Sequence, residues 1–98
     1  MTMQYYMLLA TDGDDTAEAR AQARAAHLAR LEALKAENRL LTAGPTPLPE
    51  DADKVSGSLI IAAFASLDEA QAWAEQDPYV QAGVYEEILI KPYRAVFP

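Results

Sequence analysis

The run Gly57-Ser58-Leu59-Ile60-Ile61-Ala62-Ala63-Phe64 is apolar on both of the faces that a strand would present. Side chains alternate along a strand, so Leu59, Ile61 and Ala63 point one way while Ile60, Ala62 and Phe64 point the other. The first run, Met3 to Ala10, repeats the pattern, with Tyr5, Met7 and Leu9 opposed to Tyr6, Leu8 and Ala10. A sheet with one wetted face alternates apolar with polar residues, and these two strands do not. Any fold for this chain must cover both of their faces.

The rest of the chain supplies helices for one of them. Residues 15–38 are rich in alanine and lack Gly and Pro, so they read as a long helix. Asp14, Asp15 and Glu18 near its start and Lys35 and Arg39 near its end favour the helix dipole. Arg39 to Ala43 reads as a short second strand stopped by Gly44-Pro45, and residues 44–54, with three prolines and three acids, as a loop. Ser66-Leu67-Asp68-Glu69 has the form of a capping box, opening a second helix to about Gln76. Asp77-Pro78, a turn over 79–83 and a last strand, Val84 to Tyr93, complete the chain.

The order β-α-β-β-α-β is that of the ferredoxin-like motif. The expected fold is α+β, a four-stranded antiparallel sheet with two helices on one face. With 98 residues the chain makes one domain, residues 1–98, and has no third layer for the other face. A second copy packed sheet to sheet would cover it, so a homodimer is expected; otherwise two strands expose a sizeable greasy patch.

The chain has no cysteine, which excludes disulfides and thiolate chemistry and fits a reducing cytoplasm. Fifteen acidic against eight basic residues give a net charge of -7. That balance argues against nucleic acid or an anionic membrane surface as partner. The longest apolar stretch, Leu59 to Ala65, is too short to span a bilayer, and no secretion signal is expected at the N-terminus.

Few residues can carry chemistry. His27 is the only histidine, and Arg20, Arg24, His27, Leu31 and Leu34 follow the spacing of one helix face. His27 therefore stands where a packed stripe opens toward solvent or a cleft. It suits two readings: a core histidine satisfied by a backbone carbonyl, or a site histidine tuned by its neighbours. Asp77 shares a face with Ala70 and Trp73 and also precedes Pro78. It suits a cap on the following turn and equally a carboxylate seeking a cationic or donating partner. Arg24 and Arg30 are candidate anion clamps, although helix arginines are more often solvated. Ser58 and Tyr79 are candidate cleft hydroxyls, although strand tyrosines such as Tyr85 and Tyr93 more often pack. No Gly-x-Ser-x-Gly elbow, glycine-rich phosphate loop or metal-ligand spacing is present, so neither metal nor cofactor is expected.

Several stretches taken together resemble the YCII-related (YciI-like) family of small bacterial proteins. They are Tyr5-Tyr6, His27-Leu28-Ala29-Arg30-Leu31, Asn38 through Pro45, Gly57-Ser58, Trp73-Ala74, and Asp77-Pro78-Tyr79-Val80-Gln81-Ala82-Gly83-Val84-Tyr85. The last is the most specific, and the resemblance covers nearly the whole chain. It implies a dimeric α/β barrel and an active site in which His27 meets Asp77. It also hints at kinship with muconolactone-isomerase-type and dehalogenating proteins, which is analogy rather than mechanism. Two functions are carried forward. One is an enzyme using the His27/Asp77 pair for acid/base chemistry on a small lactone or related organic acid, isomerase- or lyase-like, with Arg24, Arg30, Ser58 and Tyr79 around the substrate. The other is a non-catalytic module that binds a small-molecule metabolite in the same pocket.

Overall fold

A computed structural model describes residues 2–97. They form β1 (Gln4–Asp12), α1 (Ala17–Ala36), β2 (Leu40–Leu48), β3 (Asp51–Phe64), α2 (Leu67–Glu75), α3 (Pro78–Gln81) and β4 (Tyr85–Tyr93). The strands make one antiparallel sheet in the order β2-β3-β1-β4. This is the ferredoxin-like βαββαβ arrangement expected from the sequence, with the one-turn α3 added. Among the described residues no helix is long and apolar enough to cross a membrane.

The two central strands carry the core. Tyr6 and Leu8 of β1 and Ile60, Ala62 and Phe64 of β3 are buried against Leu31 and Leu34 of α1 and Ala70 and Ala74 of α2. On the other face no element among the described residues covers the sheet, although Ile61 at its middle is shielded by its neighbours to 8% exposure. Tyr5, Met7, Leu59 and Ala63 are only partly buried there, and Leu9 and Leu89, paired across β1 and β4, are 36% and 46% exposed.

The segment expected to be a loop is instead a long hairpin. β2 runs on through Gly44-Pro45-Thr46-Pro47 to Leu48, and β3 begins at Asp51 rather than Gly57. The prolines that suggested a break are tolerated because β2 is an edge strand, where the missing N–H faces no neighbour. Pro45 still stands opposite Ser58, and the ladder slips at Pro47. Prolines on an edge also block pairing with a further chain, and Pro92 serves the other edge on β4.

α1 is shorter than expected, since Asp15 takes a left-handed conformation (φ 55°) and only Glu18 of the acids occupies the first turn. It ends in a Schellman arrangement: the Arg39 N–H donates to the Leu34 carbonyl and the Asn38 N–H to that of Lys35, with Asn38 left-handed at φ 58°. That turn sends the chain into β2. At the start of α2 the Ser66 hydroxyl accepts from the Glu69 N–H at 3.1 Å, which is the cap read from the sequence.

Candidate active site

Asp77 occupies the two-residue link between α2 and α3, which makes it a cap and frees its other lone pairs. Its Oδ1 accepts from the Tyr79 N–H at 2.9 Å, with Pro78 in the first turn, where a missing N–H costs nothing. The same carboxylate meets the His27 Nδ1 at 2.9 Å (Oδ1) and 3.1 Å (Oδ2). Both readings of Asp77 thus hold at once, and the pair lies inside the protein, with side chains 8% and 3% exposed. A carboxylate accepts only, so the Nδ1 facing it carries the proton, an assignment made from the partner. Nε2 makes no hydrogen bond among the described residues.

Tyr79 ties this pair to the second half of the site. Its ring stacks on His27 with centroids 4.0 Å apart and planes 16° from parallel. The Arg20 guanidinium carbon sits 4.6 Å from the centre of the same ring. Arg20, two turns before His27 on α1, reaches across to both central strands. Its Nε donates to Asp12 Oδ2 at 2.9 Å, and its Nη2 to the Gly57 carbonyl at 3.0 Å and Ser58 Oγ at 2.6 Å. Burial lowers its proton affinity, but the Asp12 hydrogen bond and charge outweigh this and hold it above the ordinary arginine value. The guanidinium is therefore a fixed cation whose Nη1 makes no hydrogen bond among the described residues.

A cleft of about 240 Å³ opens between α1 and the β2–β3 hairpin, lined by His27, Arg20, Arg24, Leu31, Ser58 and Tyr79 among others. It continues past Arg20, Arg24, Pro45 and Tyr79 into a wider, open hollow between the β1–α1 turn and the hairpin tip. The extended hairpin, at residues where the proline content predicts a loop, gives the cleft this second wall.

Of the residues singled out in the sequence, His27, Asp77, Ser58, Tyr79 and Arg24 converge on this region. Arg24 is exposed at the neck between the two hollows and makes no ion pair among the described residues. Arg30 does not join them. Its Nη2 donates to the Trp73 carbonyl at 2.8 Å and its guanidinium covers the Trp73 ring at 4.2 Å, fastening α1 to the last turn of α2. Burial there lowers its proton affinity, partly offset by Asp77. The inward, carboxylate-held position belongs to Arg20, which the stripe Arg20-Arg24-His27 contained but whose partner, Asp12, nothing in the spacing revealed. Among the described residues no three His, Asp or Glu side chains converge as metal ligands would.

Comparison with known proteins agrees with this architecture. The chain is 51% identical over 96 residues to protein YciI of Escherichia coli, covering 94% of this chain and 98% of that one. It is 50% identical over 97 residues to a protein of Haemophilus influenzae, covering 95% and 99%. Among solved structures it superposes with a TM-score of 0.80 on 5-chloro-2-hydroxyhydroquinone dehydrochlorinase (TftG) from Burkholderia phenoliruptrix, solved with 2,5-dihydroxybenzoquinone. That protein is 29% identical, with 92% of this chain and 93% of the other covered. A dimeric ferredoxin-like protein of unknown function from Bacteroides fragilis shares the fold at a TM-score of 0.54 and 20% identity, covering 93% and 94%. The YCII-related domain matches residues 3–94. A match along almost the full length, with half the residues shared with curated relatives of the same size, makes the assignment plain: the chain belongs to the YCII-related family.

Proposed function

We propose that the protein is a cofactor-independent enzyme that moves a proton on a small hydroxylated or carbonyl-bearing ring, and that it works as a homodimer. The observation that carries this reading is the His27 ring, held at Nδ1 by Asp77 and free at Nε2 on the wall of a cleft. Nε2 takes a proton from an acidic O–H or C–H of the substrate, and the Asp77 carboxylate offsets the positive charge that appears on the ring. The electron pair left behind settles on a substrate oxygen, which Arg20 Nη1 and the Ser58 hydroxyl receive. Collapse of that oxyanion then either expels a leaving group as its anion or draws the proton back at a neighbouring carbon. The first outcome is loss of HX, the second an isomerisation, and neither needs an oxidant or reductant.

The part of the cleft beside His27, about 240 Å³, is below the about 300–1,000 Å³ of drug-sized pockets, so that part suits a single ring. Arg24 at its neck receives an anionic substituent. The likeness to a dehydrochlorinase bound to a hydroxylated quinone supports the elimination branch. The uncovered apolar sheet face supports the dimer.

The test measures chloride release from 5-chloro-2-hydroxyhydroquinone, and turnover of an enol-lactone, by wild type, His27→Ala and Asp77→Asn. The asparagine puts an NH₂ where Nδ1–H expects an acceptor and so favours the wrong tautomer. Wild-type turnover is expected to fall by about 10²–10⁴-fold in either variant. Equal rates in all three would remove the pair from the mechanism. A compound that raises the melting temperature and is never consumed would assign binding in place of catalysis.

A further inference from the structure

Tyr85 has no part in the reaction as proposed, yet it is buried against one of the groups that the reaction uses. It opens β4 opposite Asp12, where the register between β1 and β4 shifts, and its ring packs edge-on against Tyr79 with centroids 5.5 Å apart. Ala10, paired with Ser58 of β3, is the β1 residue between them, and its small side chain leaves the phenol room to reach across the strand. The Tyr85 hydroxyl ends buried and short of a well-formed hydrogen bond, and its hydrogen-bond neighbour is the Ser58 hydroxyl. Ser58 is itself only 4% exposed and belongs to the wall of the cleft, which Tyr85 does not. Its Oγ already accepts from Arg20 Nη2 at 2.6 Å.

A serine hydroxyl has two acceptor lone pairs and one proton. We infer that Tyr85 donates to Ser58 Oγ and, together with Arg20, fills both lone pairs, so that the single Ser58 proton is committed to an oxygen of the substrate. This rests on the proposed role of Ser58 as a group that receives that oxygen. Neither neighbour takes the proton back. Arg20 is a cation with no lone pair to offer. Were Ser58 to donate to Tyr85 instead, the phenol proton would be buried with no acceptor among the described residues, at the full cost of its desolvation. Burial also pushes the Tyr85 ionisation well above its ordinary value, so the phenol keeps that proton. Two donors on one oxygen polarise its O–H and strengthen it as a donor in turn. Tyr85 is therefore a positioning residue that acts through Ser58. The specificity it imposes is chemical: with Arg20 Nη1 and Ser58 both donating, this part of the cleft takes a carbonyl or ionised ring oxygen and rejects an N–H or ammonium group.

Two measurements keep this contact apart from the proposed reaction. The first uses no ligand. Tyr85→Phe keeps the ring and removes the hydroxyl. By urea denaturation it is expected to destabilise the wild type, but to be neutral or stabilising in a Ser58→Ala background, where it removes a hydroxyl already without a partner. The same loss in both backgrounds overturns the inference, because the ring and its packing then account for it. The second measurement titrates para-nitrophenolate, a single ring whose ionised oxygen only accepts. Tyr85→Phe is expected to weaken its binding by about 2–10-fold in the wild type and to leave it unchanged in Ser58→Ala. Equal weakening in both backgrounds also overturns the inference. Coupled stabilities in a protein that does not bind the phenolate support the Tyr85–Ser58 contact and overturn the role of Ser58 toward substrate.

Discussion

Replacing Gly57 by alanine tests whether the close contact between β1 and β3 supports both fold and site. A Cβ built on Gly57 falls inside the contact distance of the Ala10 carbonyl oxygen, 2.9 Å from the Ala10 carbonyl carbon and 3.2 Å from the Thr11 Cα. All three atoms are backbone of the paired strand, so no rotamer change relieves the clash. β3 is held on its other side by β2, with Thr46 opposite Gly57, and cannot step away freely. Overpacking of this kind costs about 1–3 kcal/mol. Loss of two ladder hydrogen bonds adds about 0.5–1.5 kcal/mol each. The sum, about 2–6 kcal/mol, is a large share of the roughly 5–15 kcal/mol of a typical domain. For a chain of this size it corresponds to a fall in Tm of about 10–40 °C. Gly44→Ala is the control, because a Cβ there meets nothing within 4 Å, and it should change stability by less than about 1 kcal/mol. Urea denaturation of both variants reads the difference. A Gly57→Ala protein no less stable than Gly44→Ala would refute the close-approach argument, and with it the account of how the Gly57 carbonyl and Ser58 are presented to Arg20.

Two further outcomes can be read without an activity assay. Leu89→Glu puts a charge on the uncovered face at a position 46% exposed in the single chain. If the proposed dimer forms through this face, the variant should be a folded monomer by sedimentation and circular dichroism under conditions in which the wild type sediments as a dimer, and a variant that is still dimeric would place the interface elsewhere. Tyr85 ties stability to alkaline pH. Its ionisation is raised in the folded protein, chiefly by burial, while the unfolded chain ionises near the ordinary value of 10.0. The stability it confers is therefore complete below about pH 10 and declines as pH rises beyond it. Wild type should lose more stability than Tyr85→Phe between about pH 9 and 11, and equal losses in the two proteins would contradict that reading.

The fold was legible where local physics and burial agree. Alternation in β1 and β3, the alanine-rich helix and the Ser66 cap each give a signal over a few residues, and each has its place in the structure. The hairpin is not legible locally, because Pro45 and Pro47 speak against a strand unless the strand is known to be an edge, which depends on the order β2-β3-β1-β4. The site divides the same way. Helix spacing placed Arg20, Arg24 and His27 on one stripe, but it left the histidine and aspartate each with a structural alternative. Asp12 and Arg20, or His27 and Asp77 fifty residues apart, become pairs only when strands and helices are assembled.

By itself, then, the sequence determined that two strands need cover on both faces, that helices exist to cover one, and that a single histidine and no cysteine limit the available chemistry. Those properties follow from side-chain type and period, which need no knowledge of distant neighbours. Tertiary structure decided which arginine is fixed by a carboxylate, which stays at the cleft mouth, and which serves only to hold two helices together. All three are the same residue on the same helix. What separates Arg20, Arg24 and Arg30 is the set of groups that the folded sheet and the α2–α3 link bring within reach of each.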